Sequence, residues 1–139
     1  MTTTSARVTY DDLIFGRSLI AHSAAIAHWR RTAAEVIRRW DASDSAVHLV
    51  QLGVTELLSN VARHVDDPRC YLRIARIGSK VEVQVFDRSR ELPRFNEAPD
   101  CQAESGRGLQ MVREMASGFG IELTDRRRGK IVWFSCDLT

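Results

Sequence analysis

The stretch from Ser45 to His64 constrains the fold of this chain more than any other. Its apolar residues point to most sides of a helix, so a helix here must be buried in the body of a domain. Those residues are Val47, Leu49, Val50, Leu52, Val54, Leu57, Leu58 and Val61. A buried helix needs other elements packed around it, and each polar residue on it costs free energy unless it has a partner.

Two polar residues of this helix, Glu56 and Asn60, are one turn apart and therefore project together. Gly53 lies one turn before Glu56 and removes bulk on the same side, which predicts a pocket beside the two polar residues. A second interpretation is that Glu56, Asn60 and His64 are the solvated face of an amphipathic helix. The helix alone leaves both interpretations open.

Periodicity and turn residues predict the other elements. In chain order we expect one or two short edge strands within Arg7–Ser18, a helix over His22–Trp40, the buried helix Ser45–His64, strands Cys70–Ile77 and Lys80–Phe86, a helix opened by Ser105-Gly106-Arg107-Gly108 and stopped by Gly118, and strands Ile121–Thr124 and Ile131–Leu138. This order indicates an α+β fold: a two-layer sandwich in which a mostly antiparallel sheet carries helices on one face. Its length predicts a single domain over residues 1–139.

Two loops interrupt the pattern. Asp87 to Glu104 has little periodicity, and so long a segment in a compact domain is usually a functional lid or a disordered loop. The turn from Asp125 to Lys130 is rich in arginine, and its charges most simply remain solvated and discourage pairing at the sheet edge. We assign no chemistry to this second loop.

Composition narrows the classes of function. The net charge is +2, from 20 basic and 18 acidic residues, which gives no electrostatic argument for nucleic acid. The N-terminal residues carry no apolar signal core and no apolar run is long enough to span a membrane, so we expect a cytoplasmic protein. Three widely spaced cysteines, Cys70, Cys101 and Cys136, predict reduced structural thiols rather than a zinc site.

Three motifs stand in a fixed order: Glu56-x-x-x-Asn60 on the buried helix, Asp87 at the end of a strand, and Gly106-x-Gly108-Leu109 at a helix start. Together they resemble the N, G1 and G2 boxes of the GHKL ATP-binding superfamily, which has the Bergerat or histidine-kinase-like ATPase fold. Within it the chain is most similar to the small, stand-alone anti-sigma-factor serine/threonine protein kinases of actinobacteria. The matching segments are Glu56–His64, Ser105–Val112 and Gly129–Phe134.

The resemblance implies a role for each residue of the N and G1 boxes. Asp87 would accept a hydrogen bond from the adenine amino group, and Asn60 would give an amide oxygen to Mg²⁺, which prefers oxygen ligands. Glu56 would be the general base for the attacking hydroxyl. If the chain binds no nucleotide, Asp87 is an acid in a turn at a strand end, Asn60 is a buried amide with a hydrogen-bond partner, and Glu56 is an acid on the helix face.

The resemblance also implies that the G2 box holds the ATP phosphates. Gly106 and Gly108 would expose backbone N–H groups at a helix N-terminus, where the dipole favours anions, and Leu109 completes the motif. Arg107 would add positive charge there, although a solvated side chain explains it equally well. The G1 box departs from the usual D-x-G-x-G, because both glycines are missing from Asp87-Arg88-Ser89-Arg90-Glu91.

The function implied is a regulator that binds Mg·ATP, sequesters a sigma factor and phosphorylates a serine or threonine of an anti-sigma-factor antagonist. Members of this family often form homodimers, so a homodimer is a further expectation. The altered G1 box favours an alternative, a binding module that has lost catalysis and either keeps or dispenses with nucleotide. A detached ATP domain of a histidine kinase is a third interpretation, but its helical dimerisation domain is absent from the sequence.

Overall fold

The structure is a computed structural model, and it describes residues 13–93, 107–125 and 128–139. Its elements are β1 (Ile14–Ile20), α1 (Ser23–Arg38), α2 (Asp44–His64), β2 (Arg69–Ile77), β3 (Lys80–Asp87), α3 (Arg107–Met115), β4 (Gly118–Thr124) and β5 (Gly129–Asp137). The predicted edge strand is present as β1, which extends past Ser18, while Arg7–Asp12 lies outside the described residues. The described part of the chain contains no helix that is both long and apolar enough to cross a membrane.

The five described strands form one antiparallel sheet in the order β1-β2-β3-β5-β4. Alternation along β3 puts Val81, Val83 and Val85 on the buried face, as expected for a sheet covered on one side. The helices cover that face, with α2 packed on β3 and β5 and flanked by α1 and α3. The predicted α+β two-layer sandwich is confirmed.

Helix α2 begins where the sequence predicts. Ser43 is its N-cap, and the Ser43 hydroxyl accepts a hydrogen bond from the Ala46 backbone N–H at 3.1 Å. Asp44 in the first turn and Arg63 and His64 in the last turn complement the helix dipole. Nine residues of the helix are buried, so α2 is the centre of the core.

The prediction for Gly118 is wrong. Helix α3 ends at Met115, and Gly118 is the first residue of β4. The backbone N–H of Ala116 still donates to the Val112 carbonyl, whereas the N–H of Ser117 donates to Ser135 on β5. Pairing with β5 therefore ends the helix before Gly118 is reached. Gly118 is needed for space instead, because a Cβ there would crowd the Ser135 side chain.

Candidate nucleotide-binding site

A cavity of about 270 Å³ opens where the C-terminal half of α2 faces the ends of β3 and β5. Asn60 reaches it from α2, while Asp87 and Lys130 reach it from the paired ends of β3 and β5. Its walls include apolar side chains from the same elements, Leu57, Val61, Val85 and Val132. The volume is close to the lower end of the usual range for ligand pockets, roughly 300 Å³. Half of the lining residues are polar or charged, which suits a ligand that carries both an apolar ring and charged groups.

The polar floor of this cavity is an ion pair between Asp87 and Lys130. The Lys130 ammonium Nζ lies 2.9 Å from both carboxylate oxygens of Asp87, Oδ1 and Oδ2. The two residues are only 2% and 3% exposed. A charge this deeply buried requires a partner, and each residue supplies it for the other.

Lys130 corrects the prediction that the Asp125–Lys130 turn is solvated and without chemistry. The structure buries Lys130 because β5 alternates, which places Lys130 on the same face as Val132, Phe134 and Cys136. That alternation is visible in the sequence. The run of charges that precedes Lys130 nevertheless favoured the prediction of a solvated side chain. In the structure the register of β5 against β3 places the lysine beside Asp87.

The segment after Asp87 turns without the usual glycines. The backbone N–H of Ser89 donates to Asp87 Oδ1 at 2.8 Å, and the Ser89 hydroxyl accepts from the Glu91 N–H at 3.1 Å. These are turns in which a side chain replaces a backbone carbonyl as the acceptor. Positive φ angles within the described ranges occur only at Asp41, Gly78 and Arg128, so Ser89 adopts a conformation open to any residue.

Glu56 lies beside the first turn of α3 rather than among the residues that line the cavity. Gly108 packs directly against its carboxylate, and a Cβ built on Gly108 would overlap the carboxylate atoms. Burial raises the pKa of Glu56, and the positive charge of Arg63 partly opposes this shift. A half-buried carboxyl with a raised pKa next to a helix N-terminus has the properties of a proton acceptor.

Gly53 has a different role from the one predicted. A Cβ at Gly53 would overlap the ring of Phe134, which fills the space beside the helix. Phe134 is fully buried on β5, so Gly53 allows the sheet and α2 to approach closely. Of the two residues beside which the pocket was predicted, Asn60 lines the cavity and Glu56 does not, and Gly53 makes room for Phe134 rather than for a ligand.

The other predicted site residues are distributed along α3. Arg107 is its first residue and is exposed, and Leu109 is buried in the core, where its side chain packs with the apolar residues. Gly106 lies outside the described residues. The structure thus places Asn60 and Asp87 in one cavity and brings Glu56 into contact with Gly108. Asn60 and Glu56 are one helical turn apart on α2.

We expect Gly108→Ala to disturb the contact between α2 and α3. The added methyl group must displace either the Glu56 carboxylate or the start of α3, and overpacking of this kind costs about 1 to 3 kcal/mol. Urea unfolding measures the loss. Gly78→Ala is an informative comparison, because it adds a methyl group in open space at a positive φ, where backbone strain alone acts. A Gly108→Ala variant with wild-type stability and wild-type Glu56 geometry would contradict the contact.

Comparisons with known proteins identify the family of this domain. Residues 19–136 match the family of the histidine kinase-like ATPase domain. Among solved structures, a similar one is the crystal structure of the RsbU and RsbW domains of Rv1364c from Mycobacterium tuberculosis, with a TM-score of 0.67 and 18% identity. The alignment covers 90% of this chain and 32% of that chain, so this chain spans about a third of the length of its relative. A comparison with curated proteins found no match.

The structural likeness is a likeness of fold. The family match covers all of the elements from α1 to β4, the last two residues of β1, and all of β5 except Asp137. The match also includes the described site residues Glu56, Asn60, Asp87, Gly108 and Lys130. On this basis the chain belongs to the histidine kinase-like ATPase family.

Proposed function

We propose that this protein is an anti-sigma-factor-type regulator that binds Mg·ATP and phosphorylates a serine or threonine of an anti-sigma-factor antagonist. The observation that carries the proposal is the grouping of Asn60 and Asp87 in one cavity, with Glu56 one turn away against Gly108. Membership of the ATPase family supports ATP as the ligand. Likeness to a structure that contains an RsbW domain, together with the motif resemblance, supports an anti-sigma regulator rather than a histidine kinase.

The residues of the cavity fit the parts of Mg·ATP. Asp87 would accept a hydrogen bond from the base amino group at the floor, Asn60 would offer its amide oxygen to Mg²⁺, and the first turn of α3 would receive the phosphates. When bound, Mg·ATP supplies the phosphoryl group and the metal charge that offsets the phosphate oxygens. Positioning and electrostatics are then the main contributions of the chain.

Glu56 would act on the incoming hydroxyl. Its carboxylate lies at the start of α3, so a serine or threonine presented there comes within reach of a proton acceptor. Its raised pKa strengthens it as a base. The proton of the attacking hydroxyl would pass to Glu56 as the new oxygen-to-phosphorus bond forms and the bond from that phosphorus to the leaving ADP breaks.

Partner switching would follow from this transfer. A phosphate adds about −1.5 to −2 charges at a serine or threonine, which is enough to break or create a protein contact. The antagonist, once phosphorylated, would no longer compete for the regulator, which would then hold the sigma factor. The proposal involves no direct contact with nucleic acid or membrane, and it places the protein in the cytoplasm.

One observation favours a second function, a binding module without turnover. Lys130 already contacts both oxygens of Asp87, which reduces the acceptor capacity left for a base. In that case the protein would sequester its partner without transferring phosphate. Nucleotide would then either order the protein or be unnecessary.

Isothermal titration with ATP, ADP and GTP in the presence of Mg²⁺ tests the proposal. We expect ATP and ADP to bind, and GTP to bind at least about tenfold more weakly, because a carboxylate acceptor favours an amino group over a carbonyl. Asn60→Ala should lose the magnesium-dependent part of the ATP affinity. Gln51→Ala, which changes a residue of α2 outside the cavity lining, should leave that part intact. Absence of binding by all three nucleotides would favour the nucleotide-independent module.

A further inference from the structure

The ammonium of Lys130 contacts two residues at the end of β3. Its Nζ donates hydrogen bonds to Asp87 Oδ1 at 2.9 Å and to the carbonyl of Ser89 at 3.3 Å. Nζ also lies 2.9 Å from Asp87 Oδ2, within ion-pair distance. Lys130 therefore joins the Asp87 carboxylate to the backbone of the following turn, and it lines the cavity.

Asp87 is the centre of these contacts. Its Oδ1 accepts from both Lys130 and the Ser89 backbone N–H, so its geometry is held from two directions. Its Oδ2 lies within ion-pair distance of Lys130, and a carboxylate oxygen can accept from a further donor. The carboxylate thus keeps acceptor capacity at the cavity floor while its orientation is fixed.

We propose that Lys130 is a positioning residue for base recognition: it locks the Asp87 carboxylate and the Ser89 turn together, so that the cavity floor presents a carboxylate acceptor in a fixed orientation. An exocyclic amino group of a purine finds its partner there. A carbonyl at the same position faces another acceptor and gains no hydrogen bond from the carboxylate. The inference rests on the proposed nucleotide binding and adds a residue to it that lies outside the N, G1 and G2 boxes.

The chain offers a matched control for Lys130. Lys80 and Asp137 form the same kind of cross-strand pair at the opposite end of β3 and β5, with Nζ 2.8 Å from Oδ1. Their side chains are 46% and 67% exposed, and neither residue lines the cavity. Lys80→Met therefore removes a lysine from the same strand pair without touching the floor.

The first experiment needs no nucleotide. Exchange of the Ser89 amide hydrogen, followed by NMR, reports whether that N–H is held by Asp87. We expect the amide in Lys130→Met to exchange at least about tenfold faster than in wild type, since a lost hydrogen bond to a charged group is worth at least that factor. Lys80→Met should exchange at the wild-type rate. Unchanged protection of Ser89 in a folded Lys130→Met variant would overturn the inference.

The second experiment compares ATP with inosine triphosphate, which carries a carbonyl in place of the amino group. Lys130→Arg keeps the charge, so it keeps an ion pair with Asp87 if Lys130→Met fails to fold, but its planar guanidinium cannot reproduce the contacts of an ammonium with Asp87 and Ser89. We expect its preference for ATP over inosine triphosphate to fall about tenfold below that of wild type. A preference equal to that of wild type would overturn the inference.

The two experiments separate the inference from the proposed function. If the wild-type protein binds neither nucleotide, the nucleotide-binding function fails, and the Ser89 exchange rate alone decides whether Lys130 positions Asp87. If wild type binds ATP and the Lys130 variants keep both the protection and the preference, the function stands and the role of Lys130 is wrong.

Discussion

Replacing Lys130 by methionine should cost about 3 to 5 kcal/mol of unfolding free energy, because it leaves the buried Asp87 carboxylate without its counter-ion. The ion pair is almost fully buried, so water cannot take over the role of the lysine. Chemical denaturation in urea measures the effect as a shift of the unfolding midpoint. The loss is a large fraction of the stability of a domain of this size, which is typically about 5 to 15 kcal/mol.

Two further variants show that burial causes the effect. Lys80→Met breaks an exposed pair of the same chemistry on the same strands, and it should cost less than about 1 kcal/mol. Combining Lys130→Met with Asp87→Asn should recover most of the loss, because it removes the orphaned charge and keeps an acceptor for the Ser89 N–H. Equal losses in Lys130→Met and Lys80→Met would show that the floor of the cavity is open to water.

The architecture could be predicted because local patterns and burial agree. The apolar surface of the Ser45–His64 stretch predicted a central helix, and α2 starts only one residue earlier, at Asp44. The alternation of Val81, Val83 and Val85 predicted the buried face of β3. In both elements the pattern spans several turns or residues, so one irregular position does not change the interpretation.

The site could be predicted only where its residues lie close together in sequence. Glu56 and Asn60 are on one helix, and their separation by a turn follows from helical geometry. The Asp87–Lys130 pair and the Gly53–Phe134 contact join distant segments and depend on strand register and helix-to-sheet packing. The charges next to Lys130 suggested a solvated side chain, and the missing side chain of Gly53 suggested open space. Neither expectation takes account of the element that packs opposite the residue.

Replacing Glu56 by glutamine should lower phosphate transfer from ATP to a serine-containing antagonist by about a hundred- to ten-thousand-fold, the usual contribution of a general base. Glutamine has the shape of glutamate, so the contact with Gly108 and the start of α3 should persist. The ATP affinity should change little, because Asn60 and Asp87 remain in the cavity. Labelled ATP measures transfer and titration measures affinity. Glu35→Gln on the exposed face of α1 is the matched control and should transfer normally.

The stability of Glu56→Gln separates a catalytic loss from misfolding. Burial raises the pKa of Glu56 in the folded protein, so the folded state holds this proton more tightly than the unfolded state does. The stability from this group is fully present below the unfolded pKa of about 4.3 and is lost as the pH rises through the higher folded value. Glutamine has no charge to desolvate, so the variant should match or exceed wild-type stability near neutral pH, and the difference should shrink in acid. Lost transfer in a variant at least as stable as wild type would identify Glu56 as the base, whereas unchanged transfer would exclude it.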